Sequence, residues 1–269
     1  MNTIPYRLPE VWREAVALPV ARGCGAVESP GAGEVFLWQV DLSTIDMDAA
    51  LASVPPAERK RDPLWTYRRD FGLWVRCRSV VRTILAAHTG ERPCDVRIVA
   101  GAGGKPELGD TAPGLHFSLA RAGSRAVVAL ARAPIGVDLA PVRQDFSWRV
   151  VACHWFHPQE QEVLAAAAPA EQPGVFFQIW THKEAVAKAV GGGFDRKSMA
   201  SFAVRLEGGA THLPEKSWQL WHLTPLVAPA GYRASLAGSH ARPVMVERDL
   251  PFETETAGAA RERSTAPVV

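Results

Sequence analysis

The sequence predicts an α+β fold built from two similar halves, and the prediction depends on three observations. Residues 69–88 and residues 175–190 each place apolar side chains at helical spacing, and a glycine ends each pattern. Short β-prone runs bounded by turn residues surround both helical segments. Hydrophobic residues make up 47% of the 269-residue chain, enough for a substantial core. We therefore expect a pseudo-duplicated protein with one half at 34–133 and the other at 134–250.

The first half is predicted to begin with a strand and to contain one long helix. Residues 34–40 are apolar and β-prone, which is typical of a strand. The long helix has one apolar stripe and carries arginines on its other face. In chain order, we expect a strand at 34–40, a short helix or turn region at 41–54, a basic helix start at 57–61, the helix at 69–88, a strand at 96–100, a loop at 101–113, and a hairpin of strands at 115–119 and 126–130.

The second half is predicted to begin with a strand that contains an acid. Asp138 lies within the otherwise apolar run at 134–139, and a buried aspartate needs a partner, a metal or a cap. Pro158 is placed to start a helix, because proline is favoured at the first helical position. The remaining expected elements are helices at 146–153, from 158 onward and at 175–190, a connection at 165–173, and strands at 202–206, 218–223 and 232–237.

The two ends of the chain are expected to lie outside this core. Glycine and proline punctuate residues 1–33, which indicates an N-terminal extension. Residues 251–269 lack apolar periodicity, which is typical of a disordered tail.

Composition excludes several classes of function. A formal net charge of +2 gives no global field that would favour nucleic acid. The chain has no run of eighteen apolar residues and no apolar run near its N-terminus, so we expect a cytoplasmic protein that does not span a membrane. Four cysteines without a C-x-x-C pair exclude a standard zinc site and give no disulfide framework, so buried free thiols are expected, with a single nucleophilic cysteine as the alternative. The glycine-rich run at 101–105 lacks the spacing of an ATP-binding loop.

The segment at 180–188 carries the strongest chemical signal. Glu184 and Lys188 are four residues apart and share one helix face. An exposed pair of this kind stabilises a helix by only a few tenths of a kcal/mol. The flanking residues are too apolar for a solvated helix, so we expect part of this charged face to point into a cleft. A carboxylate and an ammonium at a cleft suit a substrate that contains a metal and phosphate.

Four segments in order, at 104–106, 117–123, 136–139 and 180–188, together resemble one family. Their patterns include Gly-x-Asp and Trp-x-x-Lys-Glu-x-x-x-Lys. At this spacing the chain resembles the large, Sfp-type 4′-phosphopantetheinyl transferases from about residue 34 to residue 237. The resemblance implies two similar α+β subdomains with the active site between them. It also implies transfer of phosphopantetheine from coenzyme A to a serine of an apo acyl or peptidyl carrier protein, with Mg²⁺, in a monomer that serves secondary metabolism.

The resemblance also assigns roles to single residues. Asp138 and Glu184 match the metal-binding carboxylates, and Glu184 and Lys188 match the catalytic pair. Lys105 matches a lysine near the nucleotide. The remaining residues expected to bind coenzyme A are Pro106, Ser118, Arg121 and Arg78.

The sequence departs from the family pattern at four positions. Arg121 replaces a histidine, Ala120 a serine, Ala140 an acid and Leu73 an arginine that binds phosphate. One interpretation is an active transferase with an unusual coenzyme A pocket. The other is a degenerate homologue that acts on acyl chains bound to a carrier protein or to coenzyme A, or that binds carrier proteins without catalysis. We favour the first, because random decay would not be expected to spare the charged site residues.

Overall fold

A computed structural model describes residues 28–59, 70–110, 112–192, 194–213, 220–239 and 243–248. The predicted α+β class is confirmed: two four-stranded sheets each pack against one 19-residue helix. Predictions for residues 1–27 and for the tail at 251–269 lie outside the described residues.

The first sheet has the strand order β10-β1-β5-β4. Its strands are β1 (Glu34–Asp41), β4 (His116–Ala122), β5 (Arg125–Ala131) and β10 (Val244–Glu247). The strands β1, β5 and β4 are antiparallel neighbours, whereas β10 pairs with β1 in parallel. The predicted strand at 34–40 and the predicted hairpin are therefore confirmed.

Helix α3 (Phe71–Thr89) covers one face of this sheet and confirms the long helix expected there. Gly90 ends it in the left-handed conformation, with φ of 76°. The shorter elements of this half are a 3-10 turn at Leu42–Thr44, α1 (Met47–Ser53), α2 (Pro56–Arg59), β2 (Ile98–Ala100) and β3 (Pro106–Leu108). The prediction of a loop throughout 101–113 was wrong, since β3 pairs with β2 inside it.

The second sheet has the strand order β6-β9-β8-β7. Its strands are β6 (Ile135–Pro141), β7 (Gly209–His212), β8 (Leu220–Leu226) and β9 (Tyr232–Gly238), and its helices are α4 (Trp148–Trp155), α5 (Pro158–Ala166), α6 (Gln172–Val190) and α7 (Arg196–Ala200). Helix α6 packs so closely on β6 that a Cβ atom at Gly136 would lie 1.9 Å from the carbonyl oxygen of Ala185. Glycine is therefore required at position 136.

The two halves meet through strands β4 and β6. Ala120 of β4 and Val137 of β6 belong to one buried apolar cluster. At the same junction, the Val137 amide donates a 3.0 Å hydrogen bond to Ser118 Oγ. Leu119 follows Ser118 on β4 and Asp138 follows Val137 on β6, so these two residues lie on opposite sides of the seam between the halves. Helix α6 covers this seam, because its Lys188 bonds to residues on both sides.

Three expectations differ from the structure. Residues 202–206 form no strand, because two of their backbone groups bond to buried side chains: Phe202 O accepts from Lys183 Nζ, and Val204 N donates to Glu160. Strand β10 falls within the range 134–250 expected for the second half but pairs in the first sheet. Of the described cysteines, Cys77 is buried as expected, but Cys94 is half-buried and Cys153 is exposed.

No helix in the described part of the chain is both long and apolar enough to cross a membrane.

Candidate active site

A cavity of about 340 Å³ opens along the seam between the two halves. Its volume is within the range of small-molecule binding sites. Four structural elements line it: the β2–β3 hairpin, β4, the C-terminal half of α6 and the residues that follow α6. The lining residues are Gly103, Gly104, Lys105, Pro106, Phe117, Ser118, Leu119, Glu184, Ala187, Lys188, Gly191, Gly192 and Phe194.

Helix α6 places its charged face on this cavity, as the spacing of Glu184 and Lys188 predicts. Both residues line the cavity with Ala187 between them. Gly191, with φ of 78°, ends the helix at the cavity, so the chain turns sharply around its rim. The helix also carries Trp180, which is half-buried and whose ring stacks on Phe176 at the edge of the second-half core.

Lys188 connects the two halves at the base of the cavity. Its Nζ lies 2.7 Å from Asp138 Oδ1 and donates to the carbonyl oxygens of Val137 at 3.1 Å and Leu119 at 3.4 Å. Asp138 is only 8% exposed. Lys188 therefore supplies the partner that a buried aspartate at this position needs.

The two carboxylates near Lys188 influence each other. Burial raises the pKa of Glu184, the charge of Asp138 raises it further, and the charge of Lys188 opposes both effects. Two negative groups that repel each other beside a cavity suit a hard cation that takes oxygen ligands. Within the described residues, no group of three or more His, Cys, Asp or Glu side chains lies together. Asp138 and Glu184 are therefore the two carboxylates here that could hold a hard cation such as Mg²⁺, which would need its other ligands from elsewhere.

Lys105 approaches the cavity from the β2–β3 hairpin. Its Nζ donates a 2.8 Å hydrogen bond to the carbonyl oxygen of Ile135, at the start of β6. Burial lowers the pKa of Lys105, while the charge of Glu107 opposes that change. Burial and the nearby Lys105 charge also lower the pKa of His116. The cavity therefore holds a second cation besides Lys188, which suits a phosphate ligand.

The structure brings most, but not all, of the predicted cofactor-binding residues to the cavity. Pro106 and Ser118 line it, as Lys105 does. Arg121 is instead paired with Asp70 at 2.8 Å, and Arg78 is paired with Glu58. Neither arginine lines the cavity. Their binding of coenzyme A stays a prediction.

The departures from the family pattern have structural counterparts. Leu73 packs against the first-half core. Ala120 is buried at the junction of the halves, and Ala140 is buried in the second-half core. An acid at position 140 would therefore have to leave an apolar environment to reach a metal.

Sequence reasoning missed Gly191, Gly192 and Phe194 as residues that line the cavity. The glycine run was interpreted only as the end of a helix, since that is its commonest meaning. No local pattern in the sequence marks Phe194 as a lining residue, because its place at the cavity depends on where α6 ends and α7 begins.

Known 4′-phosphopantetheinyl transferases have sequences similar to this chain. A sequence profile of the 4′-phosphopantetheinyl transferase superfamily matches residues 134–237. The 4′-phosphopantetheinyl transferase HetI of Nostoc sp. is 30% identical over 213 residues, which cover 74% of this chain and 89% of HetI. A 4′-phosphopantetheinyl transferase of Bacillus subtilis is 27% identical over 62% of this chain and 72% of its own length. The transferase AcpT of Escherichia coli K12 is 29% identical over 58% of this chain and 74% of its own length. This chain therefore belongs to the 4′-phosphopantetheinyl transferase superfamily.

Proposed function

We propose that this protein transfers the 4′-phosphopantetheine group of coenzyme A to a serine of an apo acyl or peptidyl carrier protein. The observation that carries the proposal is the cavity in which Glu184, Lys188 and Lys105 converge beside the buried Asp138. It combines a carboxylate that can accept a proton with two cations that can hold phosphate, which are the groups that this reaction needs.

In the proposed reaction, the serine oxygen attacks the phosphorus next to the pantetheine arm. The bond from that phosphorus to the bridging oxygen breaks, and adenosine 3′,5′-bisphosphate leaves with the electron pair. The serine proton goes to a base. Glu184 fits this role, because burial and the Asp138 charge raise its pKa toward the working pH.

The lysines stabilise charge on the phosphates. In this proposal Lys188 would stabilise the departing phosphate and Lys105 would hold the nucleotide end of the pyrophosphate, since both line the cavity. Asp138 would keep the Lys188 ammonium at the base of the cavity before substrate binds. Together, Asp138 and Glu184 would hold Mg²⁺, which would supply charge neutralisation at the pyrophosphate when bound.

A second candidate function is supported by two departures. Arg121 is engaged by Asp70 outside the cavity, and Ala140 brings no acid to it. A protein with these features could bind carrier proteins, or act on their acyl chains, without transferring phosphopantetheine. Under the first proposal we expect the protein to serve a secondary-metabolic pathway. The identity of the carrier protein that it modifies tests this expectation.

The deciding experiment is intact-mass spectrometry of apo carrier proteins after incubation with this protein, coenzyme A and Mg²⁺. A panel of acyl and peptidyl carriers should include at least one that gains the mass of phosphopantetheine. Glu184→Gln should lose this activity, whereas Glu162→Gln, an exposed glutamate on α5, should keep it. If no carrier gains mass while a known transferase modifies the panel, the second candidate function replaces the first.

A further inference from the structure

A buried ion pair that the proposed chemistry does not use lies next to the active-site face of α6. Lys183 directly precedes Glu184, yet its side chain is 0% exposed, and that of its partner Glu160 is 1% exposed. Lys183 Nζ lies 2.9 Å from Glu160 Oε1. Burial raises the pKa of Glu160 and lowers the pKa of Lys183, and their opposite charges counter both changes. Burying two charges is costly, so their placement calls for an explanation other than stability alone.

Every hydrogen-bonding position of the Lys183 ammonium is used. Besides Glu160, it donates to the carbonyl oxygens of Met199 at 2.8 Å and Phe202 at 2.6 Å. Glu160 in turn accepts from the amides of Val204 and His157, each at 2.8 Å. The pair therefore fastens the segment 199–204, which has no strand partner of its own, to α5 and α6.

The fastened segment leads directly to the cavity. Lys183 Nζ lies 4.1 Å from the centroid of the Phe202 ring. That ring contacts Phe194 edge-on, with centroids 6.0 Å apart and an angle of 78° between the planes. Phe194 lines the cavity. Between the two rings the chain forms the five-residue helix α7, whose buried Met199 belongs to the same core cluster as Phe202.

We propose that the Glu160–Lys183 pair is a positioning device: it holds Phe202, and through it Phe194, as one wall of the coenzyme A pocket. The identity of the ligand rests on the proposed function. Neither charged residue touches the cavity, so both act through the aromatic wall. The pair should therefore affect the affinity for coenzyme A and leave the chemical step intact.

The test compares wild type with Lys183→Met and with the double variant Lys183→Met/Glu160→Gln. The double variant leaves no unpaired buried charge, and its glutamine still offers an acceptor to Val204, so it should fold where the single variant does not. Calorimetry should show coenzyme A binding weakened roughly 2- to 30-fold, the range for changes transmitted through packed side chains. The KM for coenzyme A should rise while kcat changes little. Hydrogen exchange should accelerate at residues 195–206 and not in α3.

A destabilised variant without any link to the wall provides the control. Ile45→Ala opens a cavity in the first-half core, so its Tm should fall while its coenzyme A affinity stays at the wild-type value. In a Phe194→Ala background, the double substitution Lys183→Met/Glu160→Gln should add little further loss of affinity, because the contact through which it acts is already gone.

Two outcomes would overturn the inference: wild-type affinity in the double variant, or full additivity with Phe194→Ala. If wild type itself fails to bind coenzyme A, the proposed function is refuted. In that case hydrogen exchange alone tests whether the Glu160–Lys183 pair holds Phe202 and Phe194 in place. Unchanged exchange at residues 195–206 in the double variant would refute the inference.

Discussion

Replacing Gly136 with alanine tests how the site depends on the close packing of α6 and β6. The new Cβ atom would lie 1.9 Å from the carbonyl oxygen of Ala185 and 2.4 Å from the amide nitrogen of Ala189. An ordinary contact begins near 3.4 Å, so the helix would have to move by about 1.5 Å. Both obstacles are backbone atoms, which cannot turn aside as a flexible side chain can.

This displacement should affect both stability and activity. Overpacking of this kind costs about 3 kcal/mol. For a domain of this size, that loss corresponds to a fall in Tm of roughly 6–12 °C. Because α6 carries Lys188 and β6 carries Asp138, the same movement would lengthen their 2.7 Å contact beyond hydrogen-bonding range. Transfer of phosphopantetheine should therefore fall even at temperatures where the variant is folded.

The assay measures Tm by calorimetry and transfer by the mass gain of a carrier protein. Gly238→Ala is the matched control: it lies on β9 of the same sheet, its Cβ would meet no atom within 4 Å, and it should be neutral or slightly stabilising. Equal Tm values and equal transfer rates for the two variants would refute the argument, since they would mean that α6 does not need glycine beneath it.

Three further predictions concern acid stability, the metal and the cationic side of the cavity. Burial lowers the pKa of His182 from 6.5 to about 4, so His182 should contribute a loss of about 3 kcal/mol in the free energy of unfolding as the pH falls from 6.5 toward 4, where only the unfolded chain binds the proton readily. Burial lowers the pKa of His88 in the same way and adds a loss of its own, so urea unfolding of wild type and His182→Gln across this range should show a smaller loss in the variant, and a loss of equal size would contradict the prediction. Mg²⁺ should bind weakly without coenzyme A, because Ala140 adds no ligand, and Ala140→Glu should tighten or preserve the affinity for Mg²⁺. Calorimetry that finds tight Mg²⁺ binding to the wild-type protein in the absence of coenzyme A would disprove this prediction. Lys105→Ala should weaken coenzyme A binding more than Arg121→Ala, because of these two residues only Lys105 lines the cavity. If Arg121 does bind phosphate, Arg121→Ala should cost about 1.5–3 kcal/mol of binding free energy. A larger loss for Arg121→Ala than for Lys105→Ala would show that Arg121 leaves Asp70 when the ligand binds.

The elements with local signals could be predicted from the sequence. Helix α6 has an apolar pattern and a glycine stop, and its spacing alone indicated that Glu184 and Lys188 share a face. A single acid in an apolar strand indicated that Asp138 needs a partner. Glu184 and Lys188 lie close together along the chain, and the need of Asp138 for a partner follows from its burial, so neither prediction required knowledge of distant contacts.

The prediction for residues 202–206 failed for a physical reason. Phe202 and Val204 are buried while Ala203 and Arg205 are less so, which reproduces the alternation of a half-buried strand. The backbone groups that would form a ladder are instead bonded to Lys183 and Glu160. Sequence patterns describe which side chains are buried, but they do not show that a distant charged side chain replaces a neighbouring strand.

The partners of the site residues were also beyond sequence reasoning. Arg121 pairs with Asp70, which is 51 positions earlier in the chain. Phe194 reaches the cavity only because α6 ends there and α7 turns back toward the second-half core. Such contacts depend on the packing of elements that are distant in sequence, so their residue types alone carry no signal.

The parallel pairing of β10 with β1 determines where this protein can be shortened. The family match ends at residue 237, which would be a natural place to cut an expression fragment. Such a fragment would lose β10 and expose the edge of β1, where Phe36 and Leu37 pair with Val246 and Glu247. An open, apolar strand edge invites pairing with other chains. The first half is therefore completed by the chain that returns after the second half, so the first half is not a separable piece of sequence.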